Sequence, residues 1–451
     1  MKLVQKIQFA SIILGLAMIG LPLTGCGDDS EGGGAAGMAG DGDGDGDGDG
    51  DAGHSGSHGD GDGDGDGDGD GDGDGDGDGD DDGDADPNIS SAAADLRVSL
   101  DLLLSEHLVL AAKATGAALG GRTDEYEAYG SALTDNGLEL GALVGAAYGA
   151  EAEGAFNDIW GAHNGFFVQY TTGVATDDTE MQDQAVASLT ESYVPDFAEL
   201  LAGATEIPQA DLEELITHHV LTTKDIVDLQ AAEDWPGAFD AIRDAFSHMA
   251  MIGDPLAAAI AGQFPEDFAG DNTTAPVDFR VALNTLLQEH MYLASFATSA
   301  ALGGRMEEYE AAGTALTENG TDLGGAVESI YGAEAGAEFN RIWAAHNGFF
   351  VDYTVGVATD DMDAQAEAVA SLTNTYVPEF SALLAGATGL PLDAVAGLTA
   401  AHVLSTKDVV DAQADGDFAM AAELDRESAH HMRSIGDPLS VAIVASMPDK
   451  F

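Results

Sequence analysis

The segment from Trp160 to Tyr170 reads WGAHNGFFVQY, and it returns 183 residues later as WAAHNGFFVDY, from Trp343 to Tyr353. Its aromatic and apolar side chains recur at intervals of three and four positions, which is the spacing of one face of an α-helix. Each occurrence therefore predicts an amphipathic helix that packs its aromatic face into a core. A histidine, His163 or His346, lies on that same face.

The constant offset extends over most of the chain beyond this segment. Four further strings repeat at the same distance, namely LGGR (119–122 and 302–305), YVP (193–195 and 376–378), TKD (223–225 and 406–408) and GDP (253–255 and 436–438). A repeat at one offset indicates a tandem duplication, and we place the two copies at residues 87–269 and 270–451. Each copy is long enough to bury a core of its own.

Each copy is predicted to be all-helical. Alanine and leucine are abundant, helical periodicity runs through both copies, and the alternation typical of strands is scarce. In the first copy the pattern predicts six helices, at about residues 91–118, 124–147, 151–175, 180–203, 209–232 and 235–261. Short connections favour antiparallel neighbours, so the predicted fold class is two tandem antiparallel helical bundles.

Glycine, aspartate and proline mark the expected ends and interruptions of these helices. Gly120 and Gly121 predict the end of the first helix, and Asp178 predicts the N-cap of the fourth. Pro195 and Pro255 lie inside helical patterns, where the proline ring removes a backbone hydrogen bond. We therefore expect a kink or a break at each of the two prolines.

The first 25 residues are typical of an export signal. Lys2 and Lys6 precede an apolar run that is too short to span a membrane comfortably, and the string LTGC (23–26) follows it. This string resembles the lipobox of bacterial lipoproteins, which implies cleavage after residue 25 and acylation of Cys26, with palmitate for example. Gly27 implies sorting to the outer membrane, either at its periplasmic face or at the cell surface.

Residues 26–86 connect the predicted anchor to the helical copies. The ranges 41–51 and 60–81 alternate almost entirely between glycine and aspartate, so they offer no apolar surface to bury and are predicted to form a disordered tether. The chain as a whole has a formal net charge of −68 at pH 7. Such an acidic balance disfavours nucleic acid as a partner, because phosphate binding requires a basic patch.

The chain lacks the sequence patterns of familiar catalytic sites. Cys26 is the only cysteine, so the helical copies contain no disulfide and no thiolate nucleophile. Metalloprotease, serine hydrolase and phosphate-loop strings are all absent. A carboxylate-bridged di-iron site needs Glu-x-x-His on two helices, and only Glu427 and His430 have that spacing. We therefore expect no enzymatic activity.

Ten histidines lie outside the tether, and four in each copy match at the 183-residue offset. The pairs, which are the candidate metal ligands, are His107 and His290, His163 and His346, His219 and His402, and His248 and His431. Within each copy they fall on four different predicted helices, and the apolar neighbours of the first three place those residues on inward faces. Residues expected to orient or supplement the ligands are Glu106, Asp244 and Met249, with their counterparts Glu289, Glu427 and Met432.

Two functions fit this pattern. Imidazoles that meet in the core of a bundle bind a transition metal such as copper, zinc or iron, and the protein would then sequester or deliver metal in the cell envelope. Alternatively, the histidines are structural core residues and the protein is a non-catalytic surface or interaction module. The hypotheses differ in whether the ring nitrogens converge on one point, which for zinc requires distances of about 2.0–2.1 Å.

The segment from Trp160 to Tyr170, with Glu106-His107 before it and His248-Met249 after it, resembles a helical domain of exported bacterial proteins. That domain is often duplicated, and in some of those proteins it accompanies a copper-amine-oxidase-like N-terminal domain. The resemblance implies a helical duplicated fold and favours copper as the metal. It implies no amine oxidase activity, because the quinone cofactor of those enzymes requires an Asn-Tyr pair and the chain contains none. Asn164 and Asn347 depart from the aliphatic residue expected there.

Overall fold

The helices begin and end close to the residues that the sequence predicted. In the computed structural model, which describes residues 87–451, no residue lies in a β-strand and the fold is all-α. The first copy contains α1 Ala92–Leu119, α2 Thr123–Tyr148, α3 Ala150–Thr176, α4 Thr179–Ala187, α5 Val194–Thr205, α6 Gln209–Ala231 and α7 Trp235–Gln263. The second contains α8 Ala275–Leu302, α9 Met306–Tyr331, α10 Ala333–Ala358, α11 Met362–Ser371, α12 Val377–Thr388, α13 Leu392–Asp415 and α14 Phe418–Ser446.

The predicted features of the N-terminal segment lie outside the described residues. These are the signal peptide at 1–25, the lipidation site Cys26 and the tether at 26–86. They stay predictions from the sequence.

The caps of the helices follow the sequence. Gly120 ends α1, and Gly121 has a φ of 69°, a left-handed conformation that glycine adopts without steric cost. The Asp178 side chain accepts a hydrogen bond from the Met181 N–H at the start of α4. Both predictions are confirmed.

The two prolines act differently from each other. Between α4 and α5 the chain forms a π-helical segment, Ser188–Tyr193, and Pro195 lies in the first turn of α5 directly after it. The wider π turn accommodates a residue that has no N–H to donate. Helix α7 continues through Pro255 to Gln263. Of the kink or break that the sequence predicted at Pro255, the break is therefore absent.

Helix α1 lies at the centre of the first copy. It packs against α2, α6 and α7, and most of its side chains are buried on all sides. Within residues 87–451 it is the one helix long and apolar enough to cross a membrane, although 78% of its apolar window is buried in the protein. A helix that is apolar all round is expected at the middle of a core.

The two copies pack against each other, which the sequence had left open. Helix α1 contacts its counterpart α8, α2 contacts α14, and α7 contacts α9. The ion pairs across this interface are reciprocal: Arg243 binds Glu289 at 3.1 Å, and Arg426 binds Glu106 at 3.0 Å. Arg426 is the counterpart of Arg243, and Glu106 is the counterpart of Glu289. The same pair therefore forms twice with the two copies exchanged, which is the pattern of an interface with two-fold symmetry.

Candidate metal centre

Three of the four predicted histidines meet in the core of the first copy. His107 comes from α1, His163 from α3 and His219 from α6, and all three are buried. Each offers one ring nitrogen, and these three atoms lie within 4.8 Å of one another. The ring centroids are 5.2 to 6.0 Å apart. We call this set the histidine triad of the first copy.

The second copy holds the same arrangement. His290, His346 and His402 come from α8, α10 and α13, and their ligand atoms also lie within 4.8 Å of one another. Their ring centroids are 5.4 to 5.9 Å apart. Both triads consist of three buried imidazoles, and neither group includes a carboxylate.

These distances are close to those of a metal centre. Three atoms no more than 4.8 Å apart all lie within about 2.8 Å of a common point, which is 4.8 Å divided by √3. Metal–imidazole bonds are about 2.0–2.1 Å long for zinc, so each nitrogen has less than about 1 Å to move for coordination. Small side-chain rotations provide shifts of that size.

The ring nitrogens of the triads are short of hydrogen-bond partners. His163 donates from Nδ1 to the backbone carbonyl of Trp160 at 2.8 Å, a contact that leaves the lone pair on Nε2 free. No residue in the described range bonds that Nε2, the Nδ1 of His107 or either nitrogen of His219. Buried polar atoms without partners are uncommon in folded proteins, and a bound ion would satisfy them.

Burial keeps the triad rings neutral. It lowers the pKa of His163 to about 4, and burial together with the neighbouring imidazoles lowers the pKa of His219 to about 3. The same two causes place the pKa of His107 well below its usual value. In the second copy burial lowers the pKa of His346 to about 4. Burial and the neighbouring imidazoles place the pKa values of His290 and His402 well below the usual value. Neutral imidazole is the form that binds metal.

Aromatic rings enclose the triad. The Trp160 ring lies 4.6 Å from the His107 ring and 4.8 Å from the His163 ring. On the other side Tyr193 stacks on His163 at 4.6 Å with an interplanar angle of 15°. Sequence reasoning assigned Trp160 to the core and did not connect Tyr193 with the site, although the repeated YVP string was a signal for it.

The π-helical segments place these tyrosines. Tyr193 is the last residue of Ser188–Tyr193, and Tyr376 is the last residue of the equivalent segment Leu372–Tyr376. Tyr376 stacks on His346 at 4.5 Å, as Tyr193 does on His163. Single π-helical turns occur frequently at functional sites, because the extra residue per turn redirects the side chains that follow.

The fourth predicted histidine of each copy stands outside the triad. The Nε2 atom of His248 lies 3.4 Å from the Leu215 carbonyl, and that of His431 lies 3.2 Å from the Leu398 carbonyl. The His248 ring packs on the unmatched His218 at 4.0 Å. The structure therefore brings together three of the four matched histidines in each copy.

The neighbouring carboxylates face away from the triads. Glu106 accepts hydrogen bonds from Tyr292, Asn136 and Arg426, and Glu289 accepts from Asn319 and Arg243. Both glutamates thus belong to the interface between the copies. The remaining candidates divide by exposure. Asp244 and Glu427 are exposed, whereas Met249 and Met432 are buried and line the same cavities as His219 and His402.

A third cluster contains Glu106, Glu139 and the unmatched His430. Arg426 already binds both glutamates, at 3.0 Å and 2.9 Å, and His430 lies 3.1 Å from Glu106. A guanidinium at the centre of the cluster occupies the position that a cation would take. We therefore interpret it as part of the interface between the copies.

Comparisons with known proteins found no match: no protein-family model, no curated protein and no solved structure is significantly similar to this chain.

Proposed function

We propose that each copy binds one transition-metal ion through its histidine triad, so that the chain holds two ions. The observation that supports this most strongly is the convergence of three ring nitrogens, from three helices, within 4.8 Å in both copies. A buried polar atom left without a partner costs about 1–3 kcal/mol, and one ion would accept the lone pairs of all three rings. His107 and its counterpart His290 would be the ligands on the central helices.

The donor set favours copper in its monovalent state. All three ligands are neutral, and no carboxylate in either triad would offset the charge of a bound ion. The Born cost of burying an ion rises with the square of its charge, so a monovalent ion loses about a quarter of the solvation that a divalent ion loses. Imidazole also binds zinc and iron, which are the alternatives to distinguish by titration.

The role that we propose is sequestration or delivery of metal in the cell envelope. The predicted lipid anchor at Cys26 would keep both triads at a membrane, and the predicted tether would separate them from its surface. The competing hypothesis is an interaction module in which the triads are structural. The experiment below separates the two.

The test is the metal content and affinity of the mature chain, purified without a histidine tag. His54 and His58 of the tether are replaced by alanine so that neither contributes. Metal analysis and competition with a copper(I) chelator are expected to give two copper ions per chain. His163→Ala should reduce this to one, and His163→Ala with His346→Ala should reduce it to none.

Two controls make the result specific. His163→Phe with His346→Phe keeps a ring stacked on each tyrosine but removes the nitrogens, so it should fold and bind no metal. His248→Ala with His431→Ala should retain both ions, because these side chains lie outside the triads. A parent chain that retains no metal, or a double phenylalanine variant that retains two ions, would favour structural histidines instead.

A further inference from the structure

Each copy contains an apolar cavity that reaches the triad. In the first copy it has a volume of about 60 Å³, and its lining includes Leu104, Ile252, Leu256 and His219. In the second copy the volume is about 70 Å³, and the equivalent residues Leu287, Ile435, Leu439 and His402 line it. His219 and His402 are the members of the triads that these cavities touch.

The cavities are unusual because protein interiors are otherwise close-packed. A void lined by aliphatic groups forfeits dispersion contacts and destabilises a core in proportion to its volume. Both copies nevertheless keep one in the same place, although Ile216 in the first lining corresponds to Thr399 in the second. The two cavities therefore persist across a change in the side chains around them.

The size and lining define what fits. A water molecule needs about 2–4 polar partners to be held, and this lining is almost wholly apolar. An engineered apolar cavity that binds benzene has a volume of about 150 Å³, more than twice that found here. The remaining candidates are small neutral molecules of two or three heavy atoms.

The lining combines half-buried residues with a member of the triad. Val144, Tyr148 and Ala204 line the first cavity and are only half-buried. His219 lines the same cavity, and its two ring nitrogens have no hydrogen-bond partner among residues 87–451. A molecule in the cavity would thus contact the triad at His219.

We propose that each cavity admits a small neutral molecule, of the size of carbon monoxide or dioxygen, to the histidine triad. This inference rests on the proposed function, since the molecule would take the coordination position that the three protein ligands leave open. Sites with three protein ligands characteristically keep a fourth position for an exogenous ligand. The metal would then serve as a binding site for a diatomic molecule as well as a cargo.

The test has two arms, both on the mature chain. The metal-free chain is exposed to xenon and observed by ¹²⁹Xe NMR, which reports on the cavities alone. The copper(I)-loaded chain is exposed to carbon monoxide and observed by infrared spectroscopy. We expect xenon to bind, and a C–O stretching band that corresponds to one carbon monoxide per copper ion.

Filling one cavity at a time supplies the matched controls. Ile252→Phe should halve the band while two copper ions remain bound, and Ile435→Phe should do the same in the second copy. The double variant should lose the band. Leu256→Phe and Leu439→Phe fill the same spaces from another side, in case the first pair does not fold.

The outcomes separate the two proposals. A chain that binds copper but gives no band, or a band unchanged in the double variant with two copper ions, would overturn the inference and leave metal binding intact. A chain that retains no copper would overturn the proposed function and the coordination together. Absence of xenon binding to the metal-free chain would overturn the cavities as binding sites.

Discussion

At the scale of single residues, the two copies form a natural comparison at Asp101. This aspartate is fully buried in α1, and no donor among residues 87–451 reaches either of its carboxylate oxygens. Burial and the neighbouring Asp254 raise the pKa of Asp101 well above its usual value. Its counterpart is Asn284, whose amide donates to Asp437 at 2.9 Å. A protonated Asp101 would act towards Asp254 as this asparagine does.

We expect Asp101→Asn to stabilise the protein at neutral pH, by about 1–3 kcal/mol, because the asparagine amide donates towards Asp254 without the proton uptake that Asp101 requires on folding. The raised pKa means that the folded state holds a proton that the unfolded state has released. The stability contributed by Asp101 is therefore full below pH about 4 and is lost as pH rises through the folded pKa. Chemical denaturation at a series of pH values from about 4 upward should show the free energy of unfolding fall with pH in the parent. The Asp101→Asn variant should lack this contribution.

The reverse exchange in the second copy is the control. Asn284→Asp should introduce a pH dependence of the same sign and lower the free energy of unfolding at neutral pH. Equal stability of parent and Asp101→Asn at every pH would show that Asp101 is ionised in the folded protein.

At the scale of helices, Gly137 is one of the glycines that let α2 approach α3 closely. A Cβ atom at Gly137 would lie 2.9 Å from Cδ1 of Trp160, and one at Gly320 would lie 2.8 Å from the same atom of Trp343. These indoles are the rings that pack on the triads. The glycine therefore sets how closely the aromatic wall approaches the histidines.

Gly137→Ala should destabilise the protein by about 1–3 kcal/mol, since overpacking forces a rigid indole to move. It should also weaken metal binding in the first copy only. The control is Gly130→Ala on the same helix, where a Cβ meets no atom within 4 Å. That change should stabilise by about 0.5–1 kcal/mol, the usual advantage of alanine over glycine in a helix. Equal effects of the two substitutions on unfolding would contradict this account.

At the scale of the whole molecule, one buried cluster breaks the symmetry between the copies. Lys113 binds Asp425 at 2.9 Å with both side chains buried, and Ser295 and Tyr129 bond the same carboxylate. The symmetry-related positions hold only apolar residues, namely Phe296, Ile242, Ala112 and Ala312. Equivalent positions in the core are therefore filled by a hydrogen-bonded ion pair at one place and by apolar side chains at the other.

Lys113→Met should destabilise the protein by about 3–5 kcal/mol, because it leaves the charge of Asp425 buried and unpaired. Adding Asp425→Leu should recover most of this loss, as the apolar counterpart at Ile242 suggests. Lys224→Met is a control at a partly exposed pair with Asp228, where about 0–1 kcal/mol is expected. Denaturant unfolding of the three variants measures the differences. A double variant as unstable as Lys113→Met would contradict the argument from charge burial.

The sequence alone determined the features that depend on neighbouring residues. Helix limits, the glycine end of α1 and the Asp178 cap arise from hydrogen bonds within a few positions, so local patterns predicted them. The duplication was visible because both copies keep the same strings. The inward orientation of His107, His163 and His219 followed from the apolar residues on the same helical faces.

Only the tertiary structure decided which partners those faces meet. His248 shares the repeat and the burial of the other histidines, yet the rotation of α7 turns it to the Leu215 carbonyl. Glu106 stands beside a triad member but binds Arg426, which is 320 positions away. Helical periodicity specifies a direction around one axis. The distance and rotation between axes result from packing the whole core, and these determine which three of the four histidines converge.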